Sequence, residues 1–313
     1  MNASGLKPYP IRRVILFAAC VIPFLWLPGQ ILKDRFLPLN FLYYIPPLLC
    51  FFSGCVAFFT MGRAWKWLRW TVLLIAILAL AKSLVLDFEY HSRGEPTTES
   101  IRFVQWNVSA GRFGTELLVD RLRSNRPDLI LLSEAPPDME SLKISRALFR
   151  NGYWFRSDGM ALLSRFPIEV LERLDLPDGR GWAATVKTGA RSFDLVAIDL
   201  RANLFVSRQP DLEFLSDWVV NRETDRPLIV AGDFNTPRDS VHFQGLRKNL
   251  QHAYETSGHG WPYSWPFPVP LIQTDHMWCS EGIEPIDHRY DFTLGSDHLP
   301  QVFDFKISSK ETF

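Results

Sequence analysis

Three apolar stretches near the N-terminus constrain this chain more than any other feature. Val14 to Leu32, Leu39 to Met61 and Trp70 to Leu86 are each apolar over most of their length, and a helix of about 20 such residues crosses a bilayer. The first holds Pro23 and Pro28 and the second Asn40 and the pair Pro46-Pro47. The third carries one charge, Lys82, near enough to its end to snorkel. Trp26, Tyr43, Tyr44, Trp65, Trp67 and Trp70 suit the aromatic belts of membrane interfaces. Buried helices of a soluble protein would give a similar pattern, and a cleaved signal peptide would account for the first stretch alone. The lengths and aromatic flanks favour residues 1–90 as a membrane anchor of three transmembrane helices, about 14–32, 39–61 and 70–86.

Basic residues set the expected orientation. Lys7, Arg12 and Arg13 precede the first stretch, and Arg63, Lys66 and Arg69 lie between the second and third. With three spans these segments share a side, and the positive-inside rule makes it the cytoplasm. Lys33 and Arg35 in the other loop soften the contrast. Everything past residue 90 is then expected outside the cytoplasmic (inner) membrane, on the periplasmic side. A half-inserted second stretch would reverse this. The bilayer is one expected partner, and no protein partner is indicated.

The zero net charge is unevenly divided, with nine basic and three acidic residues in 1–90 against 25 basic and 31 acidic beyond. The second part thus lacks the overall basic excess of a protein that grips long nucleic acid. Its one cysteine, Cys279, excludes an internal disulfide and a Cys-x-x-Cys metal site there. Residues 91–99, with Gly94, Pro96 and two threonines, read as a polar linker.

From Ser100 to residue 308 strands and helices mix irregularly. Strands are predicted at Ser100–Val108, Asp128–Ser133, Gly159–Ser164, Trp182–Lys187, Ser192–Leu200, Leu228–Ala231, Asp275–Ser280 and Val302–Ile307. Helices are predicted at Thr115–Asn125, Ser207–Arg222 and Asp239–Leu250. This predicts a layered α/β sandwich with mixed sheets. Asn107, Glu134, Asp233, Asn235, Asp275, Asp297 and His298 fall at strand ends or in loops, where reacting groups of α/β folds collect. Hard oxygen donors with few ligands suit Mg²⁺ or Mn²⁺. A histidine held by a second carboxylate follows the logic of catalytic triads.

These residues lie in motifs: Trp106-Asn107-Val, Leu132-Ser-Glu134, Gly159-Met-Ala-Leu-Leu-Ser-Arg-Phe-Pro-Ile168, Gly232-Asp-Phe-Asn235, Thr274-Asp-His276 and Gly295-Ser-Asp-His-Leu-Pro300. In that order, from about Ser100 to Phe305, they resemble the endonuclease/exonuclease/phosphatase superfamily. That group takes in deoxyribonuclease I-like and exonuclease III-like nucleases, inositol polyphosphate 5-phosphatases and neutral sphingomyelinases. The resemblance is closest to bacterial members with an N-terminal membrane anchor. It implies a four-layer α/β sandwich with two mixed sheets, a catalytic domain over 100–308, and Mg²⁺-dependent hydrolysis of a phosphodiester or phosphomonoester. The substrate is then a nucleic acid, a phospholipid or a small molecule. By the same resemblance Glu134 is the principal metal ligand, with Asn107 and Asp297 near the ion. Asp233 activates the water, Asn235 binds phosphate or helps hold the nucleophile, and His298 contacts the scissile phosphate. Asp275 fixes the His298 ring.

One position departs from the pattern. Relatives carry His or Tyr after the strand that here ends Val196-Ala-Ile-Asp199. A protonated Asp199 can donate a proton, whereas an ionised one repels a phosphate. That departure leaves open an alternative, a non-catalytic member that only binds a phosphorylated ligand. Arg201, Asn203 and Arg208 are near enough in sequence to supply phosphate contacts. His276 is read as a strand residue, Asp287-His288 as a decoy, and His91, His242, His252 and His259 as surface histidines. The loop Trp261 to Pro270 suits base stacking, lipid contact or simple packing on the sheet edge.

Overall fold

Pro46-Pro47 breaks the second apolar stretch. Pro46 takes extended backbone angles and Pro47 lacks the N–H that a continuous helix needs. In the computed structural model, which describes residues 9–189 and 191–308, the chain divides into two units between Asp87 and Phe88. The first contains helices α1 (Tyr9–Leu32), α2 (Asn40–Tyr43), α3 (Pro47–Thr60) and α4 (Lys66–Lys82). The second apolar stretch forms a pair of helical segments, Leu37–Tyr43 and Pro47–Thr60, bent by 66°. By length and composition Arg13–Leu32 and Arg63–Asp87 can each cross a membrane, and the bent pair adds a third crossing only as one broken span. Small residues lie where these helices touch. A Cβ on Gly54 would stand 2.5 Å from that of Ala76, and Cys50, Ala57 and Ala79 are buried. Phe17, Phe59 and Trp67 are exposed.

The second unit opens with β1 (Glu89–Tyr90), β2 (Ile101–Asn107), α5 (Thr115–Ser124), β3 (Leu129–Ser133), α6 (Asp138–Leu148), β4 (Tyr153–Ser157) and β5 (Met160–Ser164). It continues through β6 (Ile168–Leu174), β7 (Arg180–Thr188), β8 (Arg191–Asp199), α7 (Gln209–Asn221), β9 (Leu228–Asp233) and α8 (Gln244–Arg247). It ends with β10 (Gln251–His252), α9 (Ala253–Ser257), β11 (His259–Gly260), β12 (Asp275–Cys279), β13 (Ile283–Tyr290) and β14 (Gln301–Ile307). The residues just before the expected linker, and Arg93 within it, are docked. β1 pairs with β11, Glu89 meets Arg238 at 2.7 Å and Arg93 donates to the His259 ring at 2.9 Å.

Two six-stranded sheets result, ordered β10-β12-β9-β8-β7-β6 and β13-β14-β2-β3-β5-β4. Both are mixed. β2/β3 and β8/β9 run parallel, and helices α5 and α7 supply their crossovers. Apolar residues alternate between two dry faces. Phe193, Leu195 and Ala197 of β8 join Phe103, Leu131 and Phe305 between the sheets. Val196 and Ile198 face outward beneath Leu212 and Leu215 of α7. Val104 and Trp106 likewise lie under Leu118 and Leu122 of α5 and Ile144 of α6. The layers are therefore helix, sheet, sheet, helix. Strands β4, β6 and β13 and helix α6 lie where no element was predicted from sequence, and the expected helix over 239–250 is a 3-10 turn followed by α8.

Besides His298, three histidines are buried in this unit. His252, expected at the surface, is 2% exposed and lies 3.0 Å from the His276 ring. It closes the short β10 strand against Trp278, and that pairing is invisible in its local sequence. His288 meets the Gln301 side-chain oxygen at 3.1 Å. Burial lowers all three, His276 to about 4 and His288 to about 3. Above the ordinary histidine value of about 6.5 the stability they contribute is fully present. As pH falls from there toward 4 only the unfolded chain takes up these protons. Stability then falls by about 1.4 kcal/mol per pH unit for each histidine. Denaturant midpoints followed by tryptophan fluorescence are expected to drop over that window, and His288→Gln to make the slope shallower. An unchanged slope in that variant would show that His288 is already protonated in the folded protein.

Candidate active site

The parallel strand pairs put four polar residues on one edge. Asn107 ends β2, Glu134 follows β3, Asp199 ends β8 and Asp233 ends β9. Register then continues the row across one sheet: Arg180 pairs with Asp199, Asp199 with Asp233, and Asp233 with Asp275. Gly232 makes this row possible. Its φ is 149° and a Cβ there would lie 1.8 Å from the Ile198 carbonyl oxygen, so only glycine fits. Glu134 and Asn235 are left-handed, at φ 45° and 46°. Asparagine tolerates this conformation, whereas for glutamate it costs about 1–2 kcal/mol, strain of the kind that gathers at functional sites.

Asn107 ties the two sheets together. Its Nδ2 donates to Glu134 Oε1 at 3.2 Å and to Asp233 Oδ2 at 3.0 Å, while Oδ1 accepts from the Ser109 N–H at 3.0 Å. The Asn235 N–H donates to Asp233 Oδ1 at 2.9 Å, and Asn235 Nδ2 to the Leu200 carbonyl at 2.8 Å. His298 Nδ1 lies 2.8 Å from Asp275 Oδ2, and its Nε2 lies 3.9 Å from Asp233 Oδ2. Asp275 also accepts from Gln105 at 3.2 Å and from Thr274 at 3.1 Å. Trp106 Nε1 donates to the His298 carbonyl at 2.8 Å. The expected pairing of Asp275 with His298 is thus present, and Asn107, Glu134, Asp233 and Asn235 converge on it.

The charges are tightly linked. Burial works against an imidazolium at His298, but Asp275 and Asp233 outweigh it and raise the ring to about 10. His298 is therefore cationic at neutral pH. Burial, then the neighbouring Asp275 charge, raises Asp233. Burial also pushes Asp275 up, yet its charge and hydrogen-bond partnership with His298 holds it below the usual carboxylate range. Asp199 is pushed up to about 7 by burial and then by Glu134, against the opposing pull of Arg180.

A hard cation fits the donor set. Glu134 is exposed, its carboxylate is oriented by Asn107, and the nearby donors are oxygens without a thiol. Among the described residues one cluster of three acidic or histidine groups has ligand atoms mutually within 4.8 Å, Asp233, Asp275 and His298. Its Asp275–His298 hydrogen bond already uses one ring nitrogen, which suits a proton relay better than a ligand cage. Asp297 stands outside that cluster. Its Oδ1 accepts from the hydroxyls of Ser109 and of Ser296, and Ser296 also donates to the Asn107 carbonyl at 2.7 Å.

Two residues expected to bind phosphate do not line the cleft beside Glu134. Arg208 is 4% exposed and donates to the carbonyls of Asn203 at 2.9 Å and Val206 at 2.8 Å. Asn203 Oδ1 accepts from the Phe205 N–H at 2.9 Å. Together they shape the loop after β8. The cleft beside Glu134, about 620 Å³, is lined instead by Arg173, Arg180 and Arg201 together with Asp199 and Asn235. Arg201 is among the residues whose sequence position suits a phosphate contact. Counting back in register from the Thr188/Arg191 hairpin pair places Arg180 opposite Asp199, a signal readable only once the hairpin is recognised.

Replacing Asp275 by Asn keeps the shape and removes the charge that holds His298 protonated. In Asp275→Asn the His298 ring is expected to titrate well below about 10, read from its ring-proton shifts by NMR. An unchanged titration would mean that Asp275 does not set the charge of that ring.

Comparison with known proteins agrees with this geometry. Residues 104–298 match the Endonuclease/Exonuclease/phosphatase family. The chain is 29% identical over 134 residues to the uncharacterized protein YbhP of Escherichia coli K12, covering 40% of this chain and 52% of that one. It therefore spans about half the length of the curated relatives it matches. Among solved structures, the human Nocturnin catalytic domain with bound sulfate is 21% identical with a TM-score of 0.55, covering 70% of this chain and 97% of that one. The mannosyl-6-phosphatase Bt3783 of Bacteroides thetaiotaomicron is 14% identical with a TM-score of 0.55, covering 66% and 99%. At these identities the two structures speak for a shared fold. With the family match spanning most of the second unit, the chain belongs to the Endonuclease/Exonuclease/phosphatase family.

Proposed function

We propose that the second unit hydrolyses a phosphate ester with Mg²⁺ or Mn²⁺ bound at Glu134. The observation that carries this reading is the Asn107 amide, which ties Glu134 and Asp233 together beside the His298–Asp275 pair. When bound, such a cation supplies positive charge to a phosphate oxygen. Asp233 orients the attacking water and accepts its proton as the water oxygen bonds to phosphorus. Asn235 and Asn107 keep the Asp233 carboxylate in place. The cationic His298 offers Nε2 to a non-bridging phosphate oxygen and stabilises the charge that builds there, while Asp275 holds its ring. As the bond from phosphorus to the leaving oxygen breaks, protonated Asp199 donates a proton to that oxygen. Asp199 thereby takes the place where histidine or tyrosine was expected.

The full chain in detergent, given para-nitrophenyl phosphate, bis-para-nitrophenyl phosphate, DNA, RNA and phospholipids with Mg²⁺ or Mn²⁺, is expected to turn over at least one of them. Glu134→Ala, through loss of the cation's carboxylate, and His298→Ala, through loss of one transition-state donor, are each expected to lower kcat at least about a hundredfold. Because Asp233 must be ionised and Asp199 protonated to act, kcat is expected to be bell-shaped in pH, its rising limb set by Asp233 and its falling limb by Asp199, and the falling limb should vanish in Asp199→Asn. No turnover on any substrate would leave a phosphate-binding protein in place of an enzyme.

We also propose that the N-terminal helices anchor the chain in the cytoplasmic membrane with the second unit on the periplasmic side. The outward apolar side chains of the first unit and the basic flanks of its first and last helices support this. An alkaline-phosphatase reporter fused after residue 95 is expected to be active, since that reporter matures only outside the cytoplasm. Activity of a cytoplasmic reporter at the same position would instead make the bent helix pair a re-entrant segment.

A further inference from the structure

The cleft beside Glu134 has a cationic wall that the proposed chemistry does not use. Arg180 begins β7, directly opposite Asp199 in register. Its Nη1 lies 3.1 Å from where a Cβ on Gly159 would stand. Gly159 belongs to the turn between β4 and β5 in the other sheet, and its carbonyl accepts from the Ala135 N–H at 2.6 Å, next to Glu134. The guanidinium therefore reaches from one sheet to the lip of the other, beside the carboxylate expected to hold the cation. The missing side chain at Gly159 leaves room for it.

The neighbouring charges differ in how far they are already compensated. Arg173 Nη2 lies 3.1 Å from Asp158 Oδ1, and Arg201 Nη1 lies 3.9 Å from Asp178 Oδ1. Arg180 makes no side-chain hydrogen bond or ion pair among the described residues, and Asp199 is its electrostatic neighbour. The carboxylates lining the cleft are Glu134, Asp178 and Asp199. An exposed guanidinium without a contact partner, in a cleft that also holds Glu134 and Asn235, suits an anion that offers two oxygens to its planar fork, as a phosphate does.

We propose that Arg180, flanked by Arg173 and Arg201, binds the terminal oxygens of a phosphomonoester, so that the enzyme prefers monoesters to diesters. This rests on the hydrolytic reading above. A monoester carries about −1.5 to −2 charge at neutral pH and three terminal oxygens, whereas a diester carries a single charge and two. Two of the three terminal oxygens can take the guanidinium fork while the third stays on the Glu134 side of the cleft. A diester lacks that third oxygen.

Two measurements on the full chain in detergent test this. The first uses inorganic phosphate with the metal chelated, and titration calorimetry to read binding. Arg180→Ala is expected to weaken phosphate at least tenfold and Arg180→Lys by less, because lysine keeps the charge without the fork. Equal binding by wild type and Arg180→Ala, or no binding by wild type, overturns the proposal. The second compares kcat/KM for para-nitrophenyl phosphate and bis-para-nitrophenyl phosphate. Arg180→Ala is expected to lower the monoester-to-diester ratio at least tenfold, mainly through the monoester KM. An unchanged ratio overturns the preference. If phosphate binding depends on Arg180 but nothing is turned over, the subsite stands and the hydrolytic reading falls.

Discussion

The dry contact between two sheets governs the second unit. Every central strand has apolar side chains on both faces, so each sheet must be covered twice. One face of each takes helices, and the other can only meet its counterpart. Phe193 against Phe305, at 5.4 Å between ring centroids, and Phe155 against Trp182, at 5.1 Å, mark that contact between strands of different sheets. Once the inner faces lock, the carboxyl ends of the two parallel pairs lie along a common edge. An amide on β2 can then hydrogen-bond a carboxylate on β9. The Asn107–Asp233 bond is thus a consequence of sheet packing as much as of either residue.

Such an edge collects charge that folding alone would avoid. Asp199, Asp233 and Asp275 stand on adjacent strands in a single row. Burial raises the first two, and the third stays ionised because His298 answers it. Behind the row lies a polar support that the apolar core surrounds. Gln105 donates to Asp275 and accepts from Gln301, and Gln301 in turn meets His288. Tyr290 donates to the Asp275 carbonyl at 2.7 Å. Networks of this kind hold a site rigid only while each member is satisfied. His288 therefore has a structural role although it is far from the chemistry. Its Asp-His dipeptide resembles that of the site because both are short polar signals, and only the surroundings separate them.

The elements that could be read from sequence were those with a strong local signal. β2, β3, β8, β9 and β14 are short apolar runs with turn residues beside them. The overlooked strands are less apolar. β6 is largely exposed and β13 carries Glu284, Asp287 and Arg289, so neither shows a clean alternation. Helix α6 begins after Pro136-Pro137 and has only a narrow buried stripe. Arg208 is near a reactive strand in sequence, while its Nη1 turns back to the loop carbonyls of Asn203 and Val206. His252 was misread because a two-residue strand has no sequence signature. Pro46-Pro47 was visible, yet how far it bends the second apolar stretch depends on how the helices around it pack.

The sequence by itself determined the division into an apolar helical part and an α/β part, the order of the motifs, and the residue types at Asn107, Glu134, Asp233, Asn235, Asp275 and His298. These rest on local patterns, and local patterns suffice for strand, turn and residue type. Tertiary structure alone decided which residues face the cleft. Register brought Arg180 and Asp199 side by side, sheet packing joined Asn107 to Asp233, and the loop after β8 left Arg208 and Asn203 outside the lining of the cleft. Facing is a property of paired strands and packed layers, because a side chain's direction depends on which neighbour its strand has chosen.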